Sequence, residues 1–192
     1  MKHFVVSALA TLASATTYRL TVFAPGTVID GADVEAATNG FYLGLLEPST
    51  YCPSKVGTCP PVQGTLVYEG MSGMAVEVPG GQQIYVDSSG MVKYTQAHSS
   101  YVPQGAFITG WFNKTVVSSC EPAVHVVDFL AADGMGSGGI LLCRDVQSFM
   151  DGTGASYQLF VQTAQLDASS CVPAIGLLQH ESAAQYGAWQ YT

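Results

Sequence analysis

The sequence predicts an all-β fold, a single-domain antiparallel sandwich or barrel of about ten short strands. The clearest indication is residues 76–95, VEVPGGQQIYVDSSGMVKYT, in which apolar and polar side chains alternate as they do in strands with one buried face. Two glycine-bearing turns, at residues 79–81 and 87–90, interrupt this alternation and leave no room for a helix. Turns so closely spaced favour antiparallel pairing, so we expect a three-stranded meander here.

The other strands are predicted from short apolar or alternating segments bounded by turn residues. Residues 124–130 are long enough for a helix, but their β-branched content favours a strand. Residues 28–38 are interpreted as a loop, because the single helical turn that 33–37 could form is too short to be stable. The predicted strands outside the meander are 18–23, 41–46, 65–68, 106–111, 124–130, 140–143, 157–162, 174–178 and 189–191.

The N-terminus has the pattern of a secretory signal peptide: a basic Lys2, an apolar run over residues 4–12 and an Ala-Ser-Ala cleavage motif at 13–15. A membrane-spanning helix needs about 20 apolar residues, so this run is too short to serve as an anchor. We therefore expect residues 1–15 to be removed. Residues 16–192 would then form one secreted β domain, located in the extracellular space or the cell wall, with no membrane partner.

Composition restricts the partners and cofactors. Hydrophobic residues make up 48% of the chain and charged residues 10%, a balance that excludes a disordered protein. The formal net charge of −8 would repel nucleic acid, so no nucleic-acid partner is expected. The histidines after the signal peptide, His98, His125 and His180, stand at no metal-ligand spacing. The sequence therefore predicts no metal and no other cofactor.

Five cysteines in an exported chain are expected to be mostly oxidised, with one left over. We favour a bridge between Cys52 and Cys59, which bracket a short loop, and a second between Cys143 and Cys171, which close a longer one. Cys120 then remains as a free thiol, for which a buried apolar role is commoner than a reactive one. Fifteen pairings of four among the five cysteines are conceivable, and the residues alone leave them open.

One glycosylation sequon is present, Asn113-Lys114-Thr115. Because the protein is expected to be exported, we predict an N-linked glycan on Asn113. Since a glycan requires exposure, Asn113 should lie at the end of a strand.

No catalytic constellation is evident in the sequence, and we expect that the protein is not an enzyme. Serine nucleophiles lack the G-x-S-x-G elbow, and the glycine-rich residues 134–139 lack the Gly-Lys-Ser/Thr of a phosphate loop. A small secreted glycoside hydrolase stays open as an alternative, because two carboxylates facing each other across a cleft could cleave a glycosidic bond. Carboxylates near the predicted strands are Glu47, Glu69, Glu77, Asp128 and Asp145.

Aromatic side chains offer a second alternative, a carbohydrate-binding module for wall polysaccharide. Tyr85 and Tyr94, with Gln83 beside them and Trp111 nearby, form a candidate ligand face on which sugar rings could stack. The competing interpretation is that these aromatic rings pack into the core.

The central residues PGGQQIYVDSSGMVKYTQAHSSYVPQGAFITGW resemble a family of secreted filamentous-fungal proteins usually labelled IgE-binding proteins, similar to the phialide cell-wall protein PhiA. The resemblance extends to GFYLGLLEPSTYCP, GGILLCRD and YQLFVQTAQLDASSCVPAIGLL. It implies a wall-associated glycoprotein with a structural or stress-protective role, connected with conidiophore and spore formation, without established catalysis. It further implies host IgE as an antibody partner and a disulfide at the segments matching Cys143 and Cys171. The chain departs from the family pattern in lacking an early cysteine near the mature N-terminus.

Overall fold

The computed structural model describes residues 15–119, 122–134, 136–144, 150 and 152–192. The predicted signal peptide thus lies outside the described residues except for Ala15, as do Cys120 and Asp145. Within the described part, the chain forms strands and two short 3-10 turns, η1 (Ser54–Val56) and η2 (Glu69–Met71). The strands are β1 (Thr17–Phe23), β2 (Glu35–Ala37), β3 (Gly40–Leu43), β4 (Thr50–Tyr51), β5 (Val67–Tyr68), β6 (Ile84–Val86), β7 (Val92–Tyr94), β8 (Trp111–Val116), β9 (Val124–Phe129), β10 (Ile140–Cys143), β11 (Tyr157–Val161), β12 (Cys171–Ala174), β13 (Gly176–Ser182) and β14 (Gln190–Tyr191).

These strands form two main antiparallel sheets, which confirms the predicted all-β class. The first has the order β5-β1-β13-β9-β8. The second has the order β12-β10-β11-β3-β7-β6, with β2 also paired to β3, and β14 pairs with β4 as a separate two-stranded ribbon. No described helix is long and apolar enough to cross a membrane.

One hydrophobic core receives side chains from both sheets, because alternate residues of each strand face inward. Leu20 and Val22 of β1 and Val127 of β9 represent the first sheet, and Phe41 and Leu159 represent the second; all five are at most 1% exposed. The two sheets therefore share one main apolar interior, and two smaller apolar clusters cover part of the other face of the second sheet.

The expected meander is a two-stranded hairpin. β6 pairs with β7, but residues 74–78 form no strand and make single bridges to separate partners instead. The N–H of Ala75 donates to the carbonyl of Leu66, whereas the N–H of Val78 donates to that of Trp189. All residues of this segment except the exposed Glu77 are buried, so the segment is a connector packed against the core. The predicted strand at 106–111 likewise begins only at Trp111.

Two short strands form where no strand was predicted, β4 and β2. Glu35 to Ala37, interpreted as loop or helical turn, pairs with β3 through a two-residue turn at Thr38 and Asn39. Both turn residues have positive φ, 49° and 60°, the backbone conformation that tight hairpins require. Asn tolerates this conformation, but a β-branched Thr rarely adopts it. The turn is therefore specified by its packing more than by local preference.

Candidate functional site

An open polar groove runs beside the β6–β7 hairpin. It is formed by the loop that follows β7, residues 95–101, and by side chains of the hairpin. Two adjoining clefts of about 410 and 280 Å³ share Thr95 and Ser99, and a third of about 240 Å³ continues from the second. The three clefts form one extended depression, called the polar groove below. Its principal side chains are Gln83, Tyr85, Lys93, His98 and Tyr101.

The chemistry of the polar groove is that of amides, hydroxyls and phenols. Gln83, Gln96 and Asn39 supply amides, and residues 99 and 100 supply serine hydroxyls. Lys93 contributes a charged side chain to the described lining, and His98 contributes an imidazole. Such a lining can exchange hydrogen bonds with an uncharged polyhydroxylated ligand, and no Asp or Glu side chain is among its described residues.

Hydrogen bonds hold the groove loop against the hairpin. The N–H of Thr95 donates to the carbonyl of Gln83 at 2.9 Å, and the N–H of Gln83 donates to Oγ1 of Thr95 at 3.0 Å. At its other side, Asn39 Nδ2 donates to the carbonyl of Tyr94 at 3.3 Å. His98 has a φ of 62°, which turns the chain back so that the N–H of Ser99 donates to the carbonyl of Gln96. The groove wall is thus fixed by the fold before any ligand arrives.

Two tyrosines differ sharply in exposure along the groove. Tyr101 is 72% exposed, which leaves the faces of its ring accessible to a ligand. Tyr85 is 7% exposed, and burial raises the pKa of its hydroxyl, with Asp87 and Tyr101 adding to the effect. The Tyr85 hydroxyl therefore stays protonated at physiological pH and can donate a hydrogen bond.

The structure brings together only part of the candidate ligand face. Gln83 is exposed and Tyr85 borders the groove, as a binding role would need. Tyr94 is a core residue instead, 1% exposed, with its ring centroid 5.5 Å from that of Phe41. Trp111 lies in the other sheet and packs edge-on against Phe129, with centroids 4.9 Å apart. The four side chains do not share an open face, because Tyr94 and Trp111 point into the core.

Two disulfides are present in the described chain, with the pairing that the sequence favoured. Cys52 and Cys59 are joined across the short loop, and Cys143 and Cys171 join directly opposed residues of β10 and β12. The second bridge closes a loop of sequence separation 28, compared with 7 for the first, and should therefore restrict the unfolded chain more strongly.

Asn113 lies in the middle of β8, not at a strand end as expected. Its side chain is exposed, and the hydroxyl of Thr115 in the same sequon hydrogen-bonds Nδ1 of His125 at 3.1 Å. β8 is the outermost strand of its sheet, which explains how a mid-strand residue remains accessible. The placement is compatible with a glycan.

Two of the carboxylates considered for hydrolysis, Asp128 and Glu47, have different surroundings. Asp128 forms an ion pair with Lys114, the Nζ to Oδ2 distance being 3.1 Å, and also accepts from its neighbouring backbone N–H. Glu47 borders a separate, largely apolar pocket near Met150. Within the described residues no three His, Cys, Asp or Glu side chains are grouped to hold a metal ion.

Sequence reasoning missed the residues that form most of the groove. Residues 96–104 lie outside all predicted strands and have no predicted role, yet His98 and Tyr101 of this segment line the groove. Lys93 and Asn39 were also overlooked. The sequence did contain one indication of a binding loop, because a polar segment that includes the aromatic Tyr101 directly follows the predicted hairpin.

Comparison with known proteins places the chain in a family. Residues 18–192 match the model of a family described as PhiA-like secreted protein. An uncharacterized secreted protein of the fungus Arthroderma benhamiae is 34% identical over 170 residues, covering 85% of this chain and 80% of the relative. No solved structure matches the chain significantly. The protein is a secreted fungal protein, and it belongs to the PhiA-like secreted protein family.

Proposed function

We propose that this protein is a non-catalytic component of the fungal cell wall, with a structural or stress-protective role, and that it attaches to wall polysaccharide through the polar groove. The observation that carries the proposal is the groove itself, an extended depression lined by amides, hydroxyls and phenols. Sites for small organic ligands are typically concave and mostly apolar. A long polar lining is better matched to a hydroxyl-rich polymer.

Tyr101 gives the groove a surface on which a sugar ring can stack. Its ring is 72% exposed, whereas most of the other described aromatic side chains are buried or half-buried. An aromatic ring supplies a large apolar contact at a low cost in conformational entropy, and the C–H faces of a pyranose are apolar. Amide groups such as that of Gln83 would then hydrogen-bond the ring hydroxyls at the edge of the same sugar.

Binding to insoluble polymer tests this proposal. The purified secreted protein is incubated with chitin and with β-glucan, and the bound fraction is measured after sedimentation. Tyr101→Ala should weaken retention about fivefold, corresponding to ~1 kcal/mol of lost stacking. Tyr51→Ala is the matched control, because Tyr51 is also exposed, at 54%, but lies on β4 outside the groove. Absence of retention on both polymers would exclude polysaccharide attachment, and equal losses in the two variants would exclude the groove.

The resemblance to wall proteins of sporulating fungi motivates the finer part of the proposal, a role in conidiophore and spore development. Deletion in the producing fungus should reduce sporulation or increase sensitivity to wall stress. Reintroduction of the wild-type chain should restore both phenotypes, whereas a chain with Tyr101→Ala should restore them only partly. Normal sporulation and stress resistance after deletion would contradict this role.

A further inference from the structure

Strand β8 is a long and regular sheet edge. It has six residues and is the last strand of its sheet. Each residue from Trp111 to Val116 is paired with one of β9, without a bulge. The turn η2 approaches β8, but among the described residues no backbone hydrogen bond reaches β8 from outside β9. Edges of this kind present a row of free backbone groups that can pair with a strand of another molecule.

The other described edges of the two main sheets are protected in recognisable ways. β12 carries an exposed Pro173, which has no N–H to offer to a further strand. β5 and β6 have only two and three residues. Each is also covered by an isolated bridge, from Met74 to Val67 and from Phe107 to Val86. β8 has no proline and is six residues long, and although η2 lies near it, no isolated bridge to β8 is present among the described residues.

Charge does not protect β8 either. Lysine on an edge strand normally discourages pairing by leaving a cation to be desolvated. Here the Nζ of Lys114 lies 3.1 Å from the carboxylate of Asp128, so the cation has a partner of opposite charge within the molecule. Phe112, on the same face of the strand, is 41% exposed and would favour association.

We propose that Asn113 carries an N-linked oligosaccharide whose function is to prevent pairing between β8 and the β8 of a second copy. The residue is exposed at the centre of the unprotected edge, where a bulky hydrated substituent would keep a partner strand away. Identical edges can pair about a twofold axis, so the competing assembly is a closed dimer. The glycan would thus prevent strand pairing at β8, as a proline does at β12 and as short length and an isolated bridge do at β5 and β6.

The modification itself is a transfer from a lipid-linked oligosaccharide diphosphate in the secretory pathway. The side-chain nitrogen of Asn113 forms a bond to the anomeric carbon of the first sugar. The bond from that carbon to the phosphate oxygen breaks, the lipid diphosphate leaves, and the amide loses one proton.

The test combines intact mass with light scattering on protein secreted by a fungal host. Wild type should carry a glycan and be monomeric. Asn113→Gln should lose the glycan and double in mass at a concentration at which wild type is still monomeric. Thr115→Ser is the matched control, because it keeps the sequon and should remain glycosylated and monomeric. Treating folded wild type with an endoglycosidase removes all of the glycan except its first sugar, without a substitution, and should give the same dimer.

A second substitution locates the interface. Adding Phe112→Lys to Asn113→Gln places an uncompensated charge on the edge and should restore the monomer without a glycan. The proposal is overturned if wild type carries no glycan at Asn113, or if the unglycosylated forms stay monomeric. It is also overturned if their dimer persists with Phe112→Lys, since association would then involve another surface.

Discussion

Replacing Gln82 with leucine should destabilise the fold strongly, because this side chain links the hairpin to the C-terminal strand. Gln82 is 3% exposed. Its Nε2 donates to the carbonyls of Thr95 and Tyr191, each at 2.9 Å, and its Oε1 accepts from the N–H of Tyr191 at 2.8 Å. Leucine fills a similar volume but leaves these three backbone groups without that partner.

The magnitude follows from counting the groups. A buried polar group left unsatisfied costs about 1–3 kcal/mol. Three such groups at the lower limit amount to a loss of about 3 kcal/mol, since the greater hydrophobicity of leucine offsets part of the penalty. For a domain of this size, ~1 kcal/mol lowers the Tm by about 2–4 °C. We therefore expect the Tm of Gln82→Leu to fall by about 9 °C.

Differential scanning calorimetry on the oxidised protein measures this effect, with Gln83→Leu as the control. Gln83 is adjacent in sequence but exposed, so its substitution should change the free energy of unfolding by less than about 0.5 kcal/mol. If Gln82→Leu and Gln83→Leu unfold at the same temperature, the three hydrogen bonds contribute nothing measurable and the reasoning is refuted.

Two further predictions concern the half-buried Glu35 and the disulfides. Burial raises the pKa of Glu35, despite hydrogen bonds that favour its charged form, so stability should fall as the pH rises from about 4.5 through the raised pKa. Glu35→Gln should remove this part of the pH dependence of urea unfolding, and an unchanged slope would contradict the assignment. Replacing Cys143 and Cys171 with alanine should cost about 3.5 kcal/mol, against about 2.5 kcal/mol for Cys52 and Cys59. If removing either disulfide shifts the midpoint of guanidinium unfolding equally, loop length does not determine how much each disulfide stabilises the protein.

Strands that depend on local pattern alone were predictable from the sequence. β9, β10 and β11 were predicted at nearly their observed bounds, because each has apolar residues at alternating or continuous positions between turn residues. The turn between β6 and β7 was also predictable, because Asp87 and Gly90 are residue types that favour turns. Asp87 accepts from the N–H groups of Ser89 and Met91, and Gly90 has a φ of 92° beside the carbonyl of Val161, where a Cβ would collide.

Pairing partners were not predictable, since hydrophobic alternation indicates burial but does not identify the neighbour. Residues 74–78 show this clearly. Met74, Ala75 and Val76 are each at most 6% exposed, yet their hydrogen bonds go to chain segments on both sides of them in sequence. The parallel bridge from Val76 to Ala188 joins residues 112 positions apart, which no local pattern encodes. The sequence therefore predicted the core here and missed the topology.

The division between groove and core depends on the register of one hairpin. Ile84 pairs with Tyr94 and Tyr85 pairs with Lys93, so even-numbered residues of β6 and β7 face the core and odd-numbered residues face outward. A register shifted by one residue would exchange the two sets. The same parity separates Gln82, which is buried, from Gln83, which is exposed. The length of the turn thus determines which tyrosine can meet a ligand and which glutamine holds the C-terminal strand.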